Sequence, residues 1–357
     1  MFMFSPRPDS SLSDKSNVSQ NSRTTTTGPY LEGNLKLIDT LECTNDVMCC
    51  KFNASGTLLA VGQIDGVIKI FNPQNSQCLY SLQDDDTLKH HLPVTQVRFR
   101  IYHNTEKEEY ANILVASYAS GHVKFWHYTS GKCLHTINEA RTTLNVALNP
   151  EGTKFVTTGD TTQICVYDEE TKKKLTTLEP SDNRNKMDGH HFRVFAAIYH
   201  PEIPHVFLSG GWDNTVHYWD DRQPHSIRYL HGPHICGDAL DIDPYNNHIL
   251  TGSWRKKDVL QIWDFSSAEK IKDVPPDPMG HTQIYCCQWL GRDSILCGGS
   301  DRNLAKVVDR GTLSTIGQVT DLNQGVYCCD HDNNSSRPTL AVGSHRQIYV
   351  MKPEKRV

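Results

Sequence analysis

Residues 206–220 read VFLSGGWDNTVHYWD. An apolar run, a turn built on Gly-Gly-Trp-Asp-Asn and a second run of alternating apolar and polar side chains make a β-hairpin. Successive side chains of a strand face opposite ways, and a tight reversal needs residues that tolerate unusual backbone angles. The pattern recurs at 58–72 (LLAVGQIDGVIKIFN), 113–127 (ILVASYASGHVKFWH) and 154–168 (KFVTTGDTTQICVYD), and again at 248–264 (HILTGSWRKKDVLQIWD), 294–309 (SILCGGSDRNLAKVVD) and 339–352 (TLAVGSHRQIYVMK). Ahead of each hairpin lies a short apolar segment: VMCCKF, VTQVRF, TLNVAL, VFAAIY, GDALDI, IYCCQW and VYCCDH, starting at residues 47, 94, 143, 194, 237, 284 and 326. Spacings of 42 to 51 residues are those of a propeller blade with four strands. The fold is therefore read as all-β: a seven-bladed β-propeller of four-stranded antiparallel blades.

Six of the hairpins are followed by a further strand-like segment, and the seventh by only a few residues. An unmatched segment, 35–41 (LKLIDTL), precedes the first repeat. It is expected to complete the last blade and close the ring, which removes exposed strand edges. Residues 1–33 are read as a disordered Ser/Thr-rich tail, too poor in apolar groups to offset the entropy of ordering, and 34–357 as the propeller.

Composition narrows the function classes. With 36 Lys+Arg against 41 Asp+Glu the formal charge is −5, which argues against a broadly basic nucleic-acid-binding surface. The basic triplets 172–174 and 255–257 and the acidic run Asp84-Asp85-Asp86 read as solvated turns and loops. No run of 18 apolar residues is present, and the N-terminal MFMF, followed by Ser5-Pro6-Arg7-Pro8, is too short for the apolar core of a signal peptide. The twelve cysteines include no CxxC, and three doublets (49–50, 286–287 and 328–329) share one register of the first strand. They are read as reduced, small core residues of a cytoplasmic and/or nuclear protein that is not secreted. Equivalent positions on separate blades are expected to lie too far apart to share a metal ion. With neither a phosphate-binding glycine motif nor paired catalytic carboxylates in the repeats, no cofactor, metal or catalytic residue is assigned.

The Gly-His pairs 189–190 and 280–281 and the Trp-Asp pairs 219–220 and 263–264, in a seven-fold repeat over roughly residues 34–352, resemble the WD-repeat family. The resemblance implies a structural network in the fourth blade of His190, Ser209, Asp213 and Trp219. The sixth keeps His281 and Asp301 but has Cys297 and Val308 at the other places, and the first, second, third and seventh lack the His. The fourth blade is thus expected to be the best tied. A Ser-His-Asp set looks like a catalytic triad, but Ser209 lies inside a strand with nothing marking it as a nucleophile.

The family commonly binds partners on the face bearing the start of each first strand and the turn between the second and third. The residues after the first apolar position are Met48, Thr95, Leu144, Phe195, Asp238, Tyr285 and Tyr327; the turns add Trp212, Trp254, Arg255, Arg302 and Arg346. Trp, Tyr and Arg dominate interface energetics. Phe195, Trp212, Trp254, Arg255, Tyr285, Arg302, Tyr327 and Arg346 are the candidate contacts of a non-catalytic scaffold that binds short peptide segments or complex subunits of other proteins, with neither membrane nor nucleic acid as partner. Trp219-Asp220-Asp221-Arg222 is similar to the box by which some WD-repeat proteins dock on the adaptor of a cullin-type ubiquitin ligase, with Arg222 as the contact, although the position of Asp221 is normally apolar there. Substrate receptor of such a ligase is the alternative reading; a propeller enzyme is a further one.

Overall fold

The computed structural model describes residues 28–101, 111–183, 185–276, 282–333 and 337–354. Among these residues the strands form seven antiparallel sheets. In the fourth, Val194–Tyr199, Val206–Gly211, Thr215–Asp220 and Arg228–His231 follow one another from the inside outward. Apolar clusters join each sheet to the next: first to second, second to third, third to fourth, fourth through sixth, sixth to seventh and seventh back to first. The core is a closed annulus between the faces of neighbouring blades. Among the described residues no helix is long and apolar enough to cross a membrane.

The ring closes as the strand count requires. Strand β2, Lys36–Glu42, pairs with Gln347–Lys352 as the fourth strand of the seventh blade. Its Leu41 is 1% exposed and sits in the cluster that joins the seventh blade to the first.

Residues 1–27 of the expected tail lie outside the described residues, and its last part is corrected. Strand β1, Tyr30–Gly33, is a fifth strand on the outer edge of the sixth blade, paired in register from Tyr30↔Thr320 to Gly33↔Gly317. Four residues with one aliphatic side chain carry little strand signal; what fixes them is tertiary. The outer strands of the first, second, third, fifth, sixth and seventh blades each bulge by one residue, at Leu79, Leu134, Leu175, Ile271, Ile316 and Ile38. In the sixth blade β1 covers this bulge: Asn34 donates to the Ile316 carbonyl (2.7 Å), and Leu31 packs beside Ile316 on the core. Gly33 turns there at φ +72°, where a Cβ would come within 2.4 Å of the same carbonyl.

The acidic run at 84–86 is not a solvated loop. Asp84 caps a short helix, Asp85–His90, in a capping box with Thr87. Asp84 and Asp86 also hold the ammonium of Lys124 at 2.6 and 2.9 Å, which places a 2%-exposed lysine between the rings of Tyr118 and Trp126.

Candidate functional site

In six blades the register between first and second strands slips by one residue directly after the first position. The residues left unpaired are Met48, Thr95, Leu144, Phe195, Tyr285 and Tyr327. A bulge re-aims its side chain out of the pleat, and here it delivers these residues to the rim that also carries the turns between second and third strands. Phe195 stacks on Trp212 at 5.5 Å, and Trp212 on His234 at 6.2 Å. The backbone N–H of Trp254 donates to the His234 carbonyl (2.8 Å); Trp254 then meets Tyr285 at 6.4 Å, and Tyr285 meets Tyr327 at 5.0 Å. The five aromatic candidates form one arc over the fourth to seventh blades.

Its two halves differ. Trp212 is enclosed: Phe195 and His234 stack against it, the Arg193 guanidinium lies 4.6 Å above its ring, and its indole N–H donates to the Cys236 sulfur (2.9 Å). Trp254 is 39% exposed. Arg255 is tied to its own turn and to the connection from the fourth blade, donating to the carbonyls of Asp258 and Gly232 and to Gln261. Arg346 lies 3.7 Å from Asp46, and Arg302 is exposed on its turn. Phe192, next to Arg193 in the chain, is 61% exposed; it precedes the aligned strand, so repeat alignment does not find it.

Asp238 is a correction. The fifth blade begins its first strand only at Leu240, and Asp238 lies in the irregular stretch before it. Its carboxylate turns into the channel, where it accepts from Gln96 (2.9 Å) and Arg98 (3.3 Å) of the second blade, across the ring.

The four residues of the fourth-blade network come together. His190 bridges Asp213 (Nδ1, 2.7 Å) and Ser209 (Nε2, 2.6 Å), and the Trp219 indole donates to the same Ser209 oxygen at 2.7 Å. Burial raises the Asp213 carboxyl, but His190, with Thr215 and the His191 N–H, outweighs it and holds the pKa far below the usual range. A family profile described as WD domain, G-beta repeat matches residues 35–72 and 181–220. The second match ends on Trp219-Asp220 and contains this network; the first begins at the closing strand.

The chain is a WD-repeat β-propeller.

Comparison with curated proteins gives no match. Each family match runs from before a first strand through a third strand, so the sequence repeat is offset from the blade, and strand β2 belongs to the repeat of the first blade but the sheet of the seventh. The third blade of this WD-repeat ring replaces the histidine network rather than losing it. In the third, the Glu139 carboxylate accepts from Thr143 (2.7 Å), Thr157 (2.6 Å), Tyr167 (2.7 Å) and Arg141 (3.1 Å). Burial pushes that carboxyl up; Arg141 and the three hydroxyls more than reverse it. The third blade is thus tied as fully as the fourth, against the expectation of one best-tied blade. In the sixth, His281 lies outside the described residues, and Cys297 and Val308 are fully buried.

His190, Asp213 and His217 bring ligand atoms within 4.8 Å of one another. Both nitrogens of His190 already serve Asp213 and Ser209, and His217 uses Nδ1 on Ser226 (2.8 Å), so the cluster's geometry is that of the blade network. The cysteine doublets are buried, and their thiols approach in pairs, Cys50 with Cys328 and Cys286 with Cys329. That is closer than expected for separate blades, because the first strands converge at the axis. All twelve cysteines are free thiols.

At its other end the channel widens into a cavity of about 410 Å³, where Lys51, Arg98, Asp238, Asp241, Asp330 and His331 converge. The acids link blades. Asp330 accepts from Lys51 and from the Phe52 N–H, both at 2.6 Å, and Asp241 accepts the Trp289 N–H at 2.8 Å. Enclosure in the channel pushes the Asp241 carboxyl up to about 7. Arg222 is 62% exposed and grips Asp220 with two hydrogen bonds (2.7 and 2.6 Å). Asp221, where the adaptor-docking box is normally apolar, is fully buried and paired with Lys154 of the third blade at 2.9 Å.

Proposed function

We propose that this propeller is a non-catalytic platform that docks short segments of other proteins on the rim built by the first-strand bulges. WD-repeat propellers typically serve as protein-interaction scaffolds. The observation that carries the reading here is the continuous arc ending in the open Trp254–Tyr285–Tyr327 half, since partly exposed aromatic clusters supply the anchors of protein interfaces. The channel acids are engaged in ties between blades, which favours docking over chemistry. Twelve free thiols, most of them buried, suit a cytoplasmic or nuclear setting. The Trp254→Ala/Tyr285→Ala double variant is expected to keep the melting temperature within about 2 °C and to lose the partners that wild type captures in affinity purification. Capture of the same set by both proteins refutes the docking role of the arc.

A second reading, substrate receptor of a cullin-type ubiquitin ligase, is favoured by the exposure of Arg222 on the opposite rim. Arg222→Glu is expected to abolish co-purification of a ligase adaptor while leaving arc-dependent partners bound; if the adaptor is retained, Arg222 is not its contact.

A further inference from the structure

The channel end opposite the aromatic rim is lined by one position of the repeat. The fifth residue of the aligned first-strand segments borders the cavity of about 410 Å³ in six blades, as Lys51, Arg98, Ile198, Asp241, Gln288 and Asp330. The two acids of this set sit alike. Asp330 of the seventh blade accepts the Phe52 N–H of the first (2.6 Å), and Asp241 of the fifth accepts the Trp289 N–H of the sixth (2.8 Å). Phe52 and Trp289 are both the sixth residues of their segments, so the repeat relates the two junctions. They differ in one side chain. Beside Asp330 the fifth residue of the next blade is Lys51, whose ammonium lies 2.6 Å from the carboxylate. Beside Asp241 it is Gln288, which brings no charge. Among the described residues no ion pair forms to Asp241, whose other hydrogen bond comes from the Ile242 N–H (2.9 Å). A carboxylate has about four acceptor positions, so about two remain. Enclosure without a paired cation pushes this carboxyl up to about 7.

We propose that the Asp241 junction is a binding site for an alkylammonium group, supplied by a lysine side chain of another protein or by a free aliphatic amine, which takes beside Asp241 the place that Lys51 takes beside Asp330. The site is at the other end of the channel from the aromatic rim and does not rest on the docking role of that rim. The charges favour a cation. Three acids of the cavity, Asp238, Asp241 and Asp330, face two cations, Lys51 and Arg98, and those two are engaged by Asp330 and Asp238. Burial pushes the pKa of the neighbouring His331 down, which favours its neutral form. One further ammonium, on Asp241, balances the set. The walls favour a hydrocarbon stem, because Ile198, Ile242 and Pro244 give the cavity an apolar side. Its volume falls within the roughly 300–1,000 Å³ of cavities that enclose small ligands. A hard divalent ion fits less well: it takes about six or more oxygens, and here only one carboxylate lacks a cation.

The test is isothermal titration calorimetry of the full chain with n-pentylammonium chloride. Saturable binding is expected with a Kd on the order of 1 mM, and n-pentanol, the uncharged twin, should bind at least about 10-fold more weakly. A capped Gly-Lys-Gly peptide and diaminobutane, titrated in the same way, tell the two sources apart by which binds more tightly. Asp241→Asn should weaken pentylammonium at least about 10-fold. Gln288→Lys installs in the sixth blade the ammonium that Lys51 supplies in the first; it should abolish binding in a protein whose thermal melt shows a folded ring. Trp254→Ala, at the other end of the channel, should leave binding unchanged. Absence of saturable binding at about 20 mM pentylammonium overturns the proposal. So do equal binding of pentanol, full binding by folded Asp241→Asn or Gln288→Lys, and loss of binding in Trp254→Ala, which would move the amine to the rim. Should Asp241→Asn fail to fold, Gln288→Lys and the pentanol comparison decide.

Discussion

Replacing Leu41 by alanine tests whether one strand of seven residues locks the ring. Leu41 is 1% exposed and packs with Val47, Cys50 and Phe52 of the first blade and with Ile348 and Val350 of the seventh. Truncating a buried leucine costs about 2–5 kcal/mol through lost burial and a residual cavity. With about 3 kcal/mol lost, and roughly 2 °C per kcal/mol for a chain of this size, Tm falls by about 6 °C. The control lies on the same strand. Ile38 is the bulge residue of β2 and is 47% exposed, so Ile38→Ala should change stability by at most about 0.5 kcal/mol. The contrast is specific to register, because a slip of one residue would exchange the inward and outward sets. Urea unfolding under reducing conditions, at matched slopes, gives both values directly. Deletions provide the second arm: loss of residues 1–27 should leave the midpoint unchanged, whereas loss of 1–43 should lower it sharply. Equal effects of Leu41→Ala and Ile38→Ala, or of the two deletions, would show that β2 does not close the ring.

Two further outcomes follow from the polar groups inside the blades. Asp84→Ala removes a helix cap and one of the two carboxylates that neutralise buried Lys124, so it should cost about 3 kcal/mol in urea unfolding, more than Lys124→Met, which removes the buried charge itself; the reverse order would show that the ion pair does not set the cost. His217 is fully buried, and burial, then His190, push its pKa from 6.5 down to about 3. The unfolded chain therefore binds a proton between those values and the folded chain does not, so stability is fully present above pH 6.5 and is lost as pH falls toward 3. The depressed Asp213 carboxyl acts in the same direction at lower pH, below its unfolded value of about 3.8. His217→Asn should flatten the loss between pH 6.5 and 4 in urea midpoints taken at each pH; parallel curves for variant and wild type would contradict the assignment.

The rim was legible because its signal is periodic. Phe195, Tyr285 and Tyr327 fall at one position of a repeated strand, and the register slip that exposes them recurs at the same place, so aligning repeats finds them without coordinates. Asp238 shares the alignment but not the geometry, because a glycine and an irregular backbone replace the start of that strand. Phe192 lies in a connection of variable length, where alignment carries no information.

What the amino-acid sequence determined by itself is the local order: hairpins from alternation and turn residues, seven units from their spacing, and a closing strand from a count that leaves one segment over. Each of these rests on neighbours in the chain. Only the tertiary structure decided that Glu139 replaces the missing histidine of the third blade, that Asp84 and Asp86 hold Lys124, that Arg98 meets Asp238 across the channel, and that Tyr30–Gly33 lies along the sixth blade. The last two sets of partners stand 140 and 290 residues apart and are joined by ring closure. Their pairing is a property of the closed annulus, in which charge, hydrogen bonding and packing are satisfied together, and it leaves no period in the sequence to read.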